Sequence, residues 1–300
     1  MTSIQLADAI VGYQPFAAAK ILVTADEVYA AGTFAQSEIC LDARLLEERG
    51  ALVLTSGQSR YLGARIIVTE ISDVGAAPLV LTCPGHNFQV GDTVIFASTA
   101  LVDTNRGRIH RVAAVNGEEV TIDAYVPGSL SGTLGQTSVL YHALAAAGTL
   151  KEDMTLYNSG GARIGKVQRR TLAALDADAL SVSTWPQVTA YTQEIGLDTV
   201  LEFMGLPVAG QYVRFAFYRK PLAEEALTET CNPILRSPEH DTVLYWGTIF
   251  YVLEMYHREP ELAQVKQAAF ALYRQMIQSV MHQAAMARHT TEMDYMGSRW

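Results

Sequence analysis

The string with the strongest look of chemistry is Gly160-Gly161-Ala162-Arg163-Ile164-Gly165-Lys166. It fits the frame G-x-x-x-x-G-K, in which backbone amides cradle phosphates and the lysine reaches their oxygens. The next position should carry the Mg²⁺-binding Ser or Thr, and it is Val167. A buried strand should lead into the loop, and Asp153–Asn158 makes a poor one. The string therefore reads as a glycine-rich surface turn, with a nucleotide hydrolase built on Lys166 as the competing hypothesis. No G-x-S-x-G elbow occurs, so a serine hydrolase of that class has no anchor. The seven histidines (His86, His110, His142, His240, His257, His282 and His289) show no metal-ligand pairing such as H-E-x-x-H. His257 lies three residues after Glu254, the spacing of a surface ion pair on a helix. Glu118-Glu119 and Glu224-Glu225 are paired carboxylates, but adjacent strand positions point to opposite faces, so Glu118 and Glu119 cannot share a proton on a strand.

Two basic clusters remain. Arg106, Arg108 and Arg111 form one, and Lys166, Arg169 and Arg170 the other. Each is either a solvated face or a contact to DNA phosphates or an acidic neighbour. The cysteines, Cys40, Cys83 and Cys231, are odd in number and far apart. They are expected as reduced thiols packed like small apolar groups, in a chain made in a reducing cytosol. No metal or cofactor is expected.

The elements that must position these residues change character along the chain. The 300 residues exceed one typical domain, so two units or a domain with an insertion is expected. The net charge of -9 does not draw nucleic acid or anionic membrane through a general field. The start lacks a signal-peptide pattern, and no run of about 18 uncharged apolar residues suggests a membrane span. A short helix is expected over Ile4–Gly12. Thr24 and Glu27 form a capping box, and a helix over 30 Å long is expected from Ala25 to Arg49, with Gly50 as its stop.

Short Val-, Ile- and Thr-rich runs follow at Arg65–Ile71, Leu79–Thr82, Thr93–Ala97, Arg108–Ala114 and Val120–Ala124. Asn116-Gly117 between two of them is a hairpin cue, and the set suggests a small barrel or sandwich. Gly128–Gly165 reads as irregular. Strands return near Val200–Met204 and Gln211–Tyr218. Ser237-Pro238-Glu239 opens a helix, and Glu259-Pro260-Glu261 starts a second, giving an αα-hairpin. The tail after Arg288 lacks periodicity and is expected to be extended, with Arg299 and Trp300 as docking anchors.

The fold class is α+β: a helical bundle from residues 1–50 and 224–300 with a β-rich domain, 51–223, inserted between its halves. That domain carries an inserted module at about 75–132. Tyr245, Trp246, Phe250, Tyr251, Tyr256, Phe270 and Tyr273 load the C-terminal hairpin with more aromatic surface than one two-helix face covers. The N-terminal helix or a neighbouring subunit must shield the excess. Trp246 and Tyr256 join Arg299 and Trp300 as candidate interface residues.

Several segments resemble the head-to-tail adaptor (connector, or neck) proteins of tailed bacteriophages. They are Phe34-Ala35-Gln36-Ser37-Glu38-Ile39-Cys40 with Thr55–Leu62; His86-Asn87-Phe88-Gln89-Val90-Gly91-Asp92-Thr93-Val94, similar to an H-x-F-x-x-G-D-x-V turn of small virion β modules; and Val213–Pro221 followed by Cys231–Leu235 and Leu244-Tyr245-Trp246. The passage ending in Arg258-Glu259-Pro260-Glu261-Leu262-Ala263 is the most specific. The resemblance implies a structural virion protein and not an enzyme. It implies a ring, a 12-mer in that family, between the portal protein and the tail tube or nozzle protein, assembled in the host cytoplasm. Genomic double-stranded DNA passes its lumen without sequence specificity, and the arginine and lysine clusters are the candidate channel or neighbour contacts. No catalytic, cofactor-binding or metal-binding residues carry over, and no membrane partner is implied. The competing reading is a virion protein whose β module binds a host glycan or receptor.

Overall fold

The computed structural model describes residues 1–72, 78–98, 108–123, 138–151, 153–171, 188, 190–195, 199–205, 207–219, 221–235 and 237–297. The class is α+β. The chain divides into two compact units, Met1–Leu46 with Lys220–Trp300, and Glu47–Arg219. The division falls four residues before each of the boundaries read from the sequence.

The first unit begins with α1 (Ser3–Val11), α2 (Gln14–Ala18) and α3 (Ala25–Asp42). Thr2 with Gln5 and Thr24 with Glu27 each close a capping box that satisfies two orphan amides. Val28, Ala31, Ala35 and Ile39 run down one face of α3 into the core. The helix spans 18 residues, about 27 Å, and does not reach Arg49. It stops because Arg44 turns left-handed at φ 52, with Leu45 N–H on Cys40 O at 3.2 Å and Arg44 N–H on Leu41 O at 3.3 Å. That is a Schellman end with arginine where glycine is usual. Lys20 at φ 56 ends α2 in the same way, with Ile21 N–H on Phe16 O at 3.0 Å.

From the other end of the chain come α5 (Pro238–Met255) and α6 (Ala263–Gly297). Pro238 and Pro260 occupy first turns, where their missing N–H costs nothing. Gly247 lets three helices meet. A Cβ there would stand 2.8 Å from the Tyr273 ring and 3.0 Å from Ala35 Cβ. The extended arm expected after Arg288 is overturned as far as Gly297, because α6 runs on. Ala263–Met296 contains no proline or glycine and is rich in Ala, Gln and Met, all good helix formers. Arg299 and Trp300 lie outside the described residues.

The second unit holds two sheets. β1 (Glu47–Val53) and β2 (Arg60–Leu62) are the two ends of a ladder ordered β1, β15 (Tyr212–Arg219), β11 (Met154–Tyr157), β12 (Arg163–Arg169), β13 (Ala190–Ile195), β14 (Thr199–Met204), β2. β10 (Ala147–Leu150) also pairs with β15. Among the described strands only β12 and β13 run parallel. The Tyr61 hydroxyl bridges the gap between β1 and β2, accepting from Thr55 N–H at 2.8 Å and donating to Thr55 O at 3.2 Å. Gly50, expected to end a helix, sits in β1. A Cβ on it would lie 2.7 Å from Cζ of Phe215.

The second sheet is ordered β3 (Arg65–Val68), β9 (Ser138–His142), β6 (Thr93–Ser98), β7 (Ile109–Asn116), β8 (Glu119–Ile122), β5 (Leu79–Thr82), β4 (Glu70–Ser72). β3 and β4 are consecutive in the chain and separated only by Thr69, whose N–H donates to Thr82 O at 2.9 Å. One bent strand thus pairs with β9 at its start and β5 at its end, and the ladder returns on itself as a small barrel. Val94, Phe96, Leu79, Leu81, Val120 and Leu140 fill its interior. The ladder extends beyond 75–132 on both sides. The β7–β8 hairpin turns at Gly117, φ 62, one residue after Asn116. The stretch 138–165, read as irregular, is instead β9, a single turn α4 (Ala143–Ala146), β10 and β11. β9 is buried at all five positions, so it shows no alternation to read.

Candidate functional site

On the helical unit the aromatic side chains form two groups. Tyr13, from the turn before α2, packs edge-on against Trp246 at 6.3 Å and Tyr245 at 6.5 Å, leaving Trp246 half-buried. The second group is a row crossing three helices: Phe34 on α3, Tyr251 and Phe250 on α5, and Phe270 on α6. Successive ring centroids are 6.1, 5.1 and 5.0 Å apart. Its ends reach solvent, with Phe34 54% and Phe270 46% exposed. Tyr256, at the end of α5, is 41% exposed. The N-terminal helices thus shield most of the aromatic excess, and Phe34, Phe270 and Tyr256 remain uncovered by the described residues. Sequence reasoning placed Phe270 in the hairpin set. Phe34 joins the row only through tertiary packing.

Beneath the row lies a polar clamp. Tyr251 and Tyr273 both donate to Glu38 Oε2, each at 2.7 Å, and Arg274 Nη1 approaches Glu38 Oε1 at 3.6 Å. Burial, then the hydrogen bond to Glu38 and its charge, hold both phenols protonated well above the ordinary tyrosine value. The clamp locks α3 to α5 and α6 and offers no nucleophile. The expected pairing of His257 with Glu254 is replaced. Glu254 pairs with Lys266 one helix on, while His257 Nε2 faces Glu27 at 3.5 Å.

On the other side of α3, a groove of about 830 Å³ separates it from α1 and residues 226–229. Ile4, Tyr29 and Phe34 line it, and Asp8, Asp26 and Glu229 rim it. Burial and those three carboxylates push the Tyr29 phenol up.

In the β unit, the H-x-F-x-x-G-D-x-V positions are all accounted for by folding. His86 accepts from Phe88 N–H at Nδ1 and donates from Nε2 to Gly117 O at 3.0 Å. Phe88 stacks between His86 and His142, at 5.6 and 6.4 Å. Gly91 adopts φ 102, and the Asp92 carboxylate accepts from Gln89 N–H at 2.7 Å and Val53 N–H at 2.8 Å. The Gly160–Lys166 frame does not make a phosphate loop. Gly161 turns the chain at φ 82, Gly165 and Lys166 are part of β12, and Lys166 pairs with Asp153 at 3.2 Å. The frame runs straight into a strand and not into a helix N-terminus.

The basic clusters are not brought together as read. Arg106 lies outside the described residues. Arg108 and Arg169 are exposed, and Arg170 donates to Gln168 Oε1 at 3.3 Å. Arg111 lines a cleft of about 910 Å³ with Arg49 and Arg214, two arginines that neither basic cluster contains. Glu224 and Glu225 are buried, with Glu225 Oε2 accepting from Leu222 N–H at 2.8 Å. Among the described residues no group of three or more His, Cys, Asp or Glu could hold a metal ion, and no helix is long and apolar enough to cross a membrane. No protein-family model matches the chain, and no curated protein matches it.

Proposed function

We propose that this chain is a head-to-tail adaptor subunit of a tailed-bacteriophage virion. Copies form a ring, twelve in the resembled family, between the portal protein and the tail tube or nozzle protein, around a lumen passed by the genomic duplex. Its role is structural, in the neck of the particle. The observation that carries the reading is the aromatic row Phe34–Tyr251–Phe250–Phe270 with both ends in solvent. Large rings left uncovered on opposite margins of one helical unit suit a heterologous contact, in which one copy covers part of the next. The α+β arrangement, with helices from both ends of the chain in one unit, agrees with the resemblance. The net charge of -9 suits a wall past which DNA slides without sticking.

The test is native mass spectrometry of the full chain, alone and mixed with the portal protein of the same phage. A ring, formed alone or on the portal, is expected for the wild type and is lost in Phe34→Ser/Phe270→Ser. Both sites are about half exposed, and a thermal melt of the variant separates a lost contact from a lost fold. A wild-type chain that stays monomeric with the portal overturns the reading, as does ring formation unchanged by the double substitution.

A further inference from the structure

The cleft in the β unit lies between the outer faces of β1, β15 and β11 on one side and β7 with the turn at Val90-Gly91 on the other. Arg49, Arg111 and Arg214 project into it from three strands, and all three are exposed. None of their guanidinium groups has a carboxylate within ion-pair distance among the described residues. The two acidic residues of the lining are already engaged. Asp153 is paired with Lys166, and Asp123 accepts from the Arg111 backbone N–H at 2.7 Å. An acidic protein thus keeps one pocket with a surplus of fixed positive charge.

Arg214 is also held in place. The Tyr157 and Tyr212 rings stack 5.2 Å apart at 8°, and the Arg214 guanidinium lies 4.9 and 5.6 Å from their centroids. The Arg111 guanidinium lies beside Gly91. A Cβ there would stand 3.6 Å from Arg111 Nη2. Between the charges the lining is apolar, through Val53, Ile109 and Phe215. Arginine and tyrosine around an apolar floor is the composition of a protein-binding hot spot.

We propose that this cleft docks an extended, acidic segment of a partner protein. Its carboxylates pair with Arg49, Arg111 and Arg214, and its apolar side chains settle on Val53 and Ile109. In an extended chain alternate side chains share a face, so acidic and apolar residues separate onto the two surfaces the cleft offers. Carboxylates meet the guanidinium forks in pairs of hydrogen bonds. The apolar floor and the negative field of the whole chain disfavour a bare phosphodiester strand. The inference concerns single copies and stands apart from ring formation, so the two fail separately.

A randomised seven-residue peptide library, about 23 Å long when extended, is selected against the full-length protein. Enrichment of peptides carrying two or more Asp or Glu among apolar residues is expected. The best of them should bind about tenfold or more weakly to Arg111→Gln/Arg214→Gln, and more weakly in high salt. Arg258→Gln, in the other unit, should change nothing. Because the substituted arginines are exposed, thermal melting should show an unchanged fold. Absence of acidic enrichment, or enrichment that survives the double substitution, overturns the proposal. So does tighter binding of a twelve-nucleotide oligo-dT that the same substitutions abolish, since that assigns the cleft to nucleic acid.

Discussion

Tyr273 donates its hydroxyl to Glu38 Oε2 at 2.7 Å from a ring that is 1% exposed. Burial and the Glu38 hydrogen bond and charge raise its folded-state pKa above the unfolded value of about 10. Its stabilisation is therefore complete below about pH 10. Above that pH the unfolded chain ionises while the folded phenol keeps its proton, so stability falls by about 1.4 kcal/mol per pH unit. Urea midpoints measured between pH 9 and 11.5 should show this slope. Tyr273→Phe should lie lower at pH 8 and flatter above pH 10. An equal slope in both proteins would show that the phenol is not held protonated.

Gly50 tests the packing of the first β ladder. Replacing it by alanine places a methyl against the Phe215 ring and 3.2 Å from Ala143 Cβ, where neither neighbour is a flexible chain end. The expected loss is about 1–3 kcal/mol. Gly57→Ala meets open space but is held at φ 77, so strain alone should cost it about 1 kcal/mol. Chemical denaturation that ranks Gly57→Ala as the costlier change would contradict the close approach.

Lys20 is the reverse case. It is an exposed residue at φ 56 ending α2, with nothing gained from its side chain in that turn. Lys20→Gly should stabilise the protein by about 0.5–1 kcal/mol, the left-handed penalty relieved less the extra freedom of the unfolded chain. A lower melting temperature would mean that the turn is not strained.

All three cysteines are buried and none is in a disulfide, and burial pushes the Cys83 thiol up to about 12. Thiolate, the reacting species, is scarce and shielded. Ellman's reagent at pH 8 should release little colour from the native protein and three equivalents in 8 M urea. Rapid modification of Cys83 in the native protein would show that the barrel interior opens.

Much of the architecture was legible because it rests on local chemistry. The Thr24–Glu27 box, the prolines at 238 and 260, and the Gly117 hairpin each act within a few residues, and the structure uses them as read. What was hidden is non-local or atypical. The end of α3 depends on Arg44 accepting a conformation that its side chain disfavours. β9 has no polar face, and α6 runs on to Gly297 through a stretch whose sequence lacks an apolar period. The aromatic row was half visible, since Phe250, Tyr251, Phe270 and Tyr273 share one hairpin, but Phe34 comes from the far end of the chain. Arg49, Arg111 and Arg214 are dispersed in sequence, and only strand pairing gathers them.

The closed ladder begun and ended by the strand around Thr69 has a bearing on how the protein behaves when crowded. A barrel of this kind presents no row of open amides for another chain to extend. High local concentration therefore does not recruit that module into fibrils. Association is left to side-chain surfaces, which can be tried, rejected and tried again until the right neighbour is found.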